Sequence, residues 1–250
     1  MSEHLQLTDV HVLFNGFRAV NGLSLSVRKG ELRCLIGPNG AGKTTALDLI
    51  CGKTLPTSGV IKYRDRDITS AEDYEIARAG VGRKFQIPSV FKQLTVRQNL
   101  EVAYCKRSGV LWNLFHWIRT DDSDGLATLA EFVGLPEYLD EPAAHLSHGQ
   151  TQWLEIALLL AQDAELILLD EPTAGMTAQE TRKTADICLR LKGKHTIVVV
   201  EHDMGFVKEI GDVISVMHQG KLLAEGTVAE IECDPNVRQV YLGSAGISGA

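Results

Sequence analysis

The chain has 250 residues, 44% hydrophobic and 23% charged, a balance that fills a core without disulfide or metal staples. Its formal net charge of -7 speaks against a polyphosphate backbone such as DNA as a partner. The five cysteines, Cys34, Cys51, Cys105, Cys188 and Cys233, are odd in number and form no C-x-x-C pair, so each is expected as a reduced, buried thiol rather than part of a disulfide or zinc framework.

The first ten residues lack the apolar core of a signal peptide, and no apolar run approaches the roughly 20 residues that span a bilayer. Work at a membrane would need a second chain. In chain order, Leu5, Leu7, Val10 and Val12 predict one strand and Leu23, Leu25 and Val27 a second, both half-exposed as in an antiparallel sheet. Residues 32–36 are an apolar run ending in glycine, and a helical pattern follows over 43–51, giving strand, loop and helix. Residues 60–63 and 81–85 predict further strands. From about 88 to 162 the pattern is mainly helical, with Leu111, Leu114, Phe115 and Ile118 on one helix face, and this block reads as a lobe of its own.

Unbroken apolar runs at 166–169 and 196–200 predict strands buried on both faces, and the helical stretch 178–191 between them makes a parallel crossover. Residues 213–217 and 222–224 predict a hairpin through Gln219 and Gly220, and 228–242 a last helix broken near Pro235.

Residues 37–44, Gly37-Pro38-Asn39-Gly40-Ala41-Gly42-Lys43-Thr44, match G-x-x-x-x-G-K-[ST] after a strand and before a helix, with Thr45 next. Such a loop curls backbone N–H groups around a phosphate, and the helix N-terminus adds partial positive charge. Lys43 is expected on the β- and γ-phosphates and the Thr44 hydroxyl on Mg²⁺. The strand at 166–169 delivers Asp170 and Glu171, the first suited to Mg²⁺ through its water shell and the second to polarising a water as general base. A strand ending in Asp-Glu-Pro is weak alone, since acids often cap the next helix. Leu146-Ser147-His148-Gly149-Gln150 fits an S-x-x-Q capping box, and its Ser147 and Gly149 also offer donors to an anion.

In this order the three motifs resemble the ATP-binding cassette of ABC transporters, over nearly the whole chain. The resemblance implies an α/β, P-loop NTPase (RecA-like) fold with an antiparallel β subdomain and an α-helical subdomain. Residues 1–87 and 163–242 would form the catalytic core, 88–162 the helical signature subdomain, and 243–250 a flexible tail. It implies an ATPase using ATP and Mg²⁺, with Glu171, His202 and Gln86 as catalytic residues and Thr44, Gln86 and Asp170 near the metal. Nucleotide contacts would come from Phe14, residues 37–45, Ser147, Gly149 and Gln150. Phe14 matches the aromatic that stacks on adenine; Phe17 lies close enough to be confused with it, and a core role is the plainer reading of either.

The same resemblance implies a head-to-tail pair of ATPase subunits, alike or different, working with permease subunits and an external solute-binding protein at the cytoplasmic face of the membrane. Nucleic acid is not expected. Residues 88–91 and the aromatic stretch 112–117 are candidates to line a permease groove, while Lys84, Lys92 and Arg97 read as solvated surface. Two departures stand out: His148 where glycine is usual, and Thr177 at the usual D-loop aspartate. Together with residues 48–54, 82–86, 146–156 and 174–177 they resemble the urea-importer ATPase, with a branched-chain amino acid as the alternative cargo. A non-transport ABC ATPase would bring a long coiled coil or two cassettes, and a small-molecule kinase would not need the signature; the chain has the signature and neither of the other features.

Overall fold

The computed structural model describes residues 3–84, 90–105 and 123–245. Strands β1 (Glu3–Phe14), β2 (Phe17–Arg28), β4 (Ser58–Tyr63) and β5 (Arg66–Asp67) form an antiparallel sheet in the order β2-β1-β4-β5. Alternation puts Leu5, Leu7, Leu23 and Leu25 inside, and register shifts between Leu7 and Val10 keep Val10 and Val12 inside as well. Asn15 and Gly16 take φ of 48° and 87° in the hairpin, the mirror-image turn that suits twisted strands.

The second sheet has the order β10-β9-β3-β8-β7-β6. Strands β3 (Leu32–Ile36), β6 (Val81–Lys84), β7 (Leu166–Asp170), β8 (Thr196–Val200) and β9 (Val213–His218) run parallel, and β10 (Lys221–Gly226) closes one edge antiparallel to β9. Every residue of β3, β7 and β8 is buried, as their mainly apolar runs require, and Arg33, the charge inside β3, is paired with Glu31 and Glu225.

The period of two decides which layer each side chain joins. Ile167, Leu169, Ile197 and Val199 face one cluster, and Leu166, Leu168, Val198 and Val200 face the other. The second cluster holds α1 (Lys43–Ile50) and the antiparallel sheet, with α2 (Asp73–Arg78) contributing Ile76. The first takes in α3 (Val96–Cys105), α4 (Ser123–Val133), α5 (His148–Ala161), α6 (Ala178–Leu191) and α7 (Met204–Ile210). Val96, Leu126, Leu154 and Ile156 from the helical block thus share a continuous apolar cluster with the sheet. At roughly 1.5–3 kcal/mol per buried aliphatic side chain, this common cluster couples the helices to the strands.

Helix α6 joins β7 to β8 as the expected crossover. The last helical segment divides into α8 (Val228–Cys233) and α9 (Pro235–Ala245), with Pro235 opening the second, so residues 243–245 continue a helix. Capping boxes start α5 (Ser147 and Gln150), α6 (Thr177 and Glu180) and α8 (Thr227 and Glu230), each cap worth about 1 kcal/mol. Among the described residues no helix is long and apolar enough to cross a membrane. Cys34 and Cys188 are buried, but Cys51 is half-buried and Cys233 exposed, because the segment containing Cys233 turns that position outward; the side chain of Cys105 lies outside the description.

Candidate functional site

The loop between β3 and α1 is shaped by three glycines in the left-handed range, Gly37, Gly40 and Gly42, and two of them also have no room for a Cβ. At Gly37 (φ 152°) an added Cβ would lie 2.2 Å from the Met217 carbonyl oxygen, and at Gly42 (φ 98°) 2.5 Å from that of Ala19, so neither position accepts a side chain. Gly42 is also the N-cap of α1 and supplies no side-chain acceptor, which leaves the first N–H groups of the helix available to an anion. Asn39, Gly40 and Thr44 are exposed at the loop, Pro38 and Thr45 are half-buried, and Ala41 is buried against the second cluster.

Lys43 is buried, its Nζ donating to the carbonyls of Gly37 at 2.8 Å and Pro38 at 3.1 Å. Burial lowers its pKa, while the nearby carboxylates of Glu171 and Asp170 work in the other direction. Those two acids stand at the end of β7. Asp170 is 1% exposed; its Oδ2 accepts from Arg83 Nη2 at 3.2 Å, and its Oδ1 has no hydrogen-bond partner among the described residues. Burial raises its carboxyl pKa above the usual range, and the Arg83 guanidinium limits the rise. Glu171 adopts φ 45°, a left-handed conformation that costs an L-residue other than glycine about 1–2 kcal/mol, and its N–H donates to Val200 O at 2.9 Å. The strain turns its carboxylate out of the strand.

His202 follows β8 with its side chain 67% exposed, and its Nδ1 stands 3.8 Å from Glu171 Oε1. The structure therefore gathers Lys43, Asp170, Glu171 and His202 around the open end of the P-loop. Gln86 lies outside the described residues, as do 88, 89 and the stretch 112–117 with Phe115 and Ile118. Phe14 and Phe17 face each other across the β1–β2 turn and are 47% and 66% exposed, so neither is core and both offer an open ring face.

Ser147 and Gly149 open α5. The Ser147 hydroxyl accepts from Gln150 N at 3.2 Å, and Gln150 Oε1 accepts from Ser147 N at 2.8 Å. Within the chain this turn meets the loop after β7 rather than the P-loop: Ser147 Oγ donates to Glu180 Oε1 at 3.2 Å and His148 Nε2 to the Ala174 carbonyl at 3.0 Å.

Three charged residues have a larger part in the site than sequence reasoning gave them. Glu201 is fully buried, its Oε1 accepting from Thr173 N and Oγ1 and its Oε2 from His202 N, so it frames the loops after both β7 and β8. Arg83 bridges Asp170 to Asp48 and contacts Cys51 Sγ at 3.3 Å. Lys84, expected on the solvated surface, is instead 3% exposed at the end of β6, because its strand is the one beside β7; burial lowers its pKa against the charges of Glu155, Asp170, Glu201 and Glu171. The available signal was a charge inside, or just after, an otherwise apolar strand. Lys92 is exposed, and Arg97 pairs with Asp140 at 3.0 Å.

Comparison with known proteins agrees with this geometry. The ABC transporter family profile matches residues 20–174, and a profile described as branched-chain amino acid ATP-binding cassette transporter matches 221–247. The chain is 39% identical to the high-affinity branched-chain amino acid transport ATP-binding protein LivG of Salmonella typhimurium, over 96% of this chain and 98% of the relative. It is 37% identical to the Escherichia coli K12 protein of the same name at the same coverage. The crystal structure of the ADP conformation of MJ1267, an ATP-binding cassette of an ABC transporter, superposes with a TM-score of 0.84 at 32% identity, covering 97% of this chain and all of that one. A P-loop with its helix start left open, a carboxylate pair at the neighbouring strand end and full-length similarity of this kind place the chain in the ABC transporter family, as an ATP-binding and ATP-hydrolysing cassette.

Proposed function

We propose that this cassette is the motor of an importer, working as one of two facing ATPase subunits docked on permease chains at the cytoplasmic face of a membrane, with an external solute-binding protein delivering cargo. The observation that carries the reading is the pairing of an uncapped α1 N-terminus with an Asp170 Oδ1 that has no partner among the described residues, beside Lys43. In this reading residues 37–45 cradle the triphosphate, Lys43 neutralises its β- and γ-oxygens, and Phe14 stacks on adenine. Thr44, Gln86 and the free oxygen of Asp170 would hold Mg²⁺, which when bound offsets phosphate charge. Glu171 polarises the attacking water, and His202, 3.8 Å from it, steadies that carboxylate and the departing phosphate. Ser147 and Gly149 meet the terminal phosphate of the nucleotide on the facing subunit, with Gln150 holding their turn.

Residues 1–87 and 163–242 act as the catalytic core and 88–162 as the signature subdomain. Between them lies a cleft of about 600 Å³ lined by Tyr74, Ala77, Lys84 and Leu158, the surface we assign to the permease. The names of the relatives support a branched-chain amino acid as cargo better than urea. Urea is kept as a second reading because residues 48–54, 82–86, 146–156 and 174–177 resemble the urea-importer ATPase. Uptake of labelled leucine and labelled urea by cells lacking this chain separates the two, the lost flux naming the cargo. For the motor itself, Lys43→Ala should abolish binding of a fluorescent ATP analogue; undiminished binding would remove the nucleotide reading.

A further inference from the structure

Four capping boxes occur among the described residues, at α3 (Thr95 and Gln98), α5, α6 and α8, and the last two share the same Thr-x-x-Glu chemistry. In the box of α8, Glu230 Oε2 accepts from Thr227 N at 2.7 Å and from its hydroxyl at 2.9 Å, and Thr227 is the only partner of that carboxylate among the described residues. In the box of α6, Glu180 Oε2 accepts from Thr177 N and Oγ1, both at 2.9 Å, and the second oxygen is used as well. Oε1 takes the proton of the Ser147 hydroxyl at 3.2 Å. That hydroxyl already accepts from Gln150 N, and its single proton can be given to one acceptor at a time. Gly149 makes the contact possible: an added Cβ there would lie 2.4 Å from Glu180 Oε1 and 2.6 Å from its Cδ.

We infer that Glu180 is a positioning residue that holds the signature turn in a resting state, its carboxylate occupying the Ser147 donor until the terminal phosphate on a facing subunit displaces it. The inference rests on the two-subunit reading proposed above. A phosphate accepting from Ser147 would stand within about 5 Å of the Glu180 carboxylate, and two anions at that range repel unless one leaves. His148 ties the same turn to Ala174 O, so release of Glu180 frees the start of α6 and loosens one of two links between the signature turn and the loop bearing Thr177. Thr177 stands in that loop where an aspartate is usual, and here its side chain is committed to holding Glu180. Engagement of the facing nucleotide and rearrangement of this loop thereby become one event.

Glu180→Gln tests this, because glutamine keeps the acceptor needed for the α6 cap, as Gln150 does for α5, and removes only the charge. Glu230→Gln, in the matching box of α8, reports the cost of losing a cap carboxylate elsewhere. All three proteins carry Glu171→Gln so that nucleotide is retained, and ATP-dependent dimerisation is followed by light scattering. Relative to the parent, Glu180→Gln should lower the ATP concentration for half-maximal pairing about three- to tenfold at low salt, an advantage that shrinks as salt rises. Glu230→Gln should leave it unchanged, and ATP binding to the monomer should be the same in all three. Pairing that is unaltered or weaker in Glu180→Gln, or a gain indifferent to salt, would overturn the inference while leaving the two-subunit reading intact. No ATP-dependent pairing in the parent would overturn that reading and this inference with it.

Discussion

The two adjacent strands β7 and β8 end in the same way and to different purposes. Each leads into a buried acid followed by a more exposed polar residue: Asp170, the last residue of β7, then half-buried Glu171, and, just past Val200 at the end of β8, Glu201 then exposed His202. Glu201 uses both oxygens, holding Thr173 N and Oγ1 on one side and His202 N on the other. Asp170 has one oxygen on Arg83 and the other without a partner among the described residues. A saturated buried carboxylate fixes backbone, whereas a half-satisfied one keeps an electrostatic cost that a cation would relieve. The neighbours thus divide the labour, with Glu201 shaping two loops and Asp170 keeping an oxygen for the Mg²⁺ proposed above.

Removing the saturated acid should have the largest effect. Glu201→Ala strands the buried N–H of Thr173 and its hydroxyl, and we expect a loss of about 3–5 kcal/mol in unfolding free energy, read from urea denaturation. A loss below 1 kcal/mol would show that water replaces the carboxylate and that the comparison with Asp170 is empty. Next comes Glu171→Gln, which keeps the side-chain shape in the same left-handed backbone. Hydrolysis should fall on the order of 10²-fold or more, equivalent to about 2.7 kcal/mol, with nucleotide binding retained. Turnover equal to the parent would remove Glu171 as the base.

Asp170→Asn sharpens the contrast through pH. The carboxyl titrates above the ordinary aspartate value of 3.8 in the folded protein, chiefly because it is buried. Between that value and the folded one, the native state keeps a proton the unfolded chain has already released, so stability falls as pH rises through the interval. Asparagine removes this fall. The variant should be more stable than the parent at neutral pH in the absence of nucleotide and Mg²⁺, and its melting temperature should depend less on pH, as thermal melts from acid to neutral pH will show. A less stable variant with an unaltered pH profile would mean that Arg83 needs Asp170 more than burial opposes it.

How much of this was legible beforehand follows from what each feature depends on. The strands β3, β7 and β8, the crossover α6 and the P-loop are written in local apolar runs and in glycines at fixed offsets, so the sequence order discloses them. The S-x-x-Q box of α5 was readable for the same reason. Glu180 on Ser147 joins residues 33 positions apart, and Arg83 on Asp170 joins residues 87 apart, and no local pattern encodes such meetings. Lys84 misled because its charge suggested solvent, while the place of β6 beside β7 buries it. The exposed rings of Phe14 and Phe17 misled in the opposite sense, since a hairpin tip keeps aromatics open that their hydrophobicity would place inside.

The smallest expected effect isolates the exposed member of the second pair. The His202 ring is 67% exposed and approaches Glu171 and Glu201 only at 3.8 Å, while Glu201 grips the backbone N–H that any residue at this position supplies. Replacing the ring by alanine therefore leaves the structural bond in place. His202→Ala should change the unfolding free energy by less than about 0.5 kcal/mol while lowering ATP turnover, a split that denaturation and phosphate release measure on the same preparation. If stability dropped by as much as in Glu201→Ala, the ring rather than the buried acid would be holding the β8 loop, and the division between a framing carboxylate and a working neighbour would fail at the strand where it is clearest.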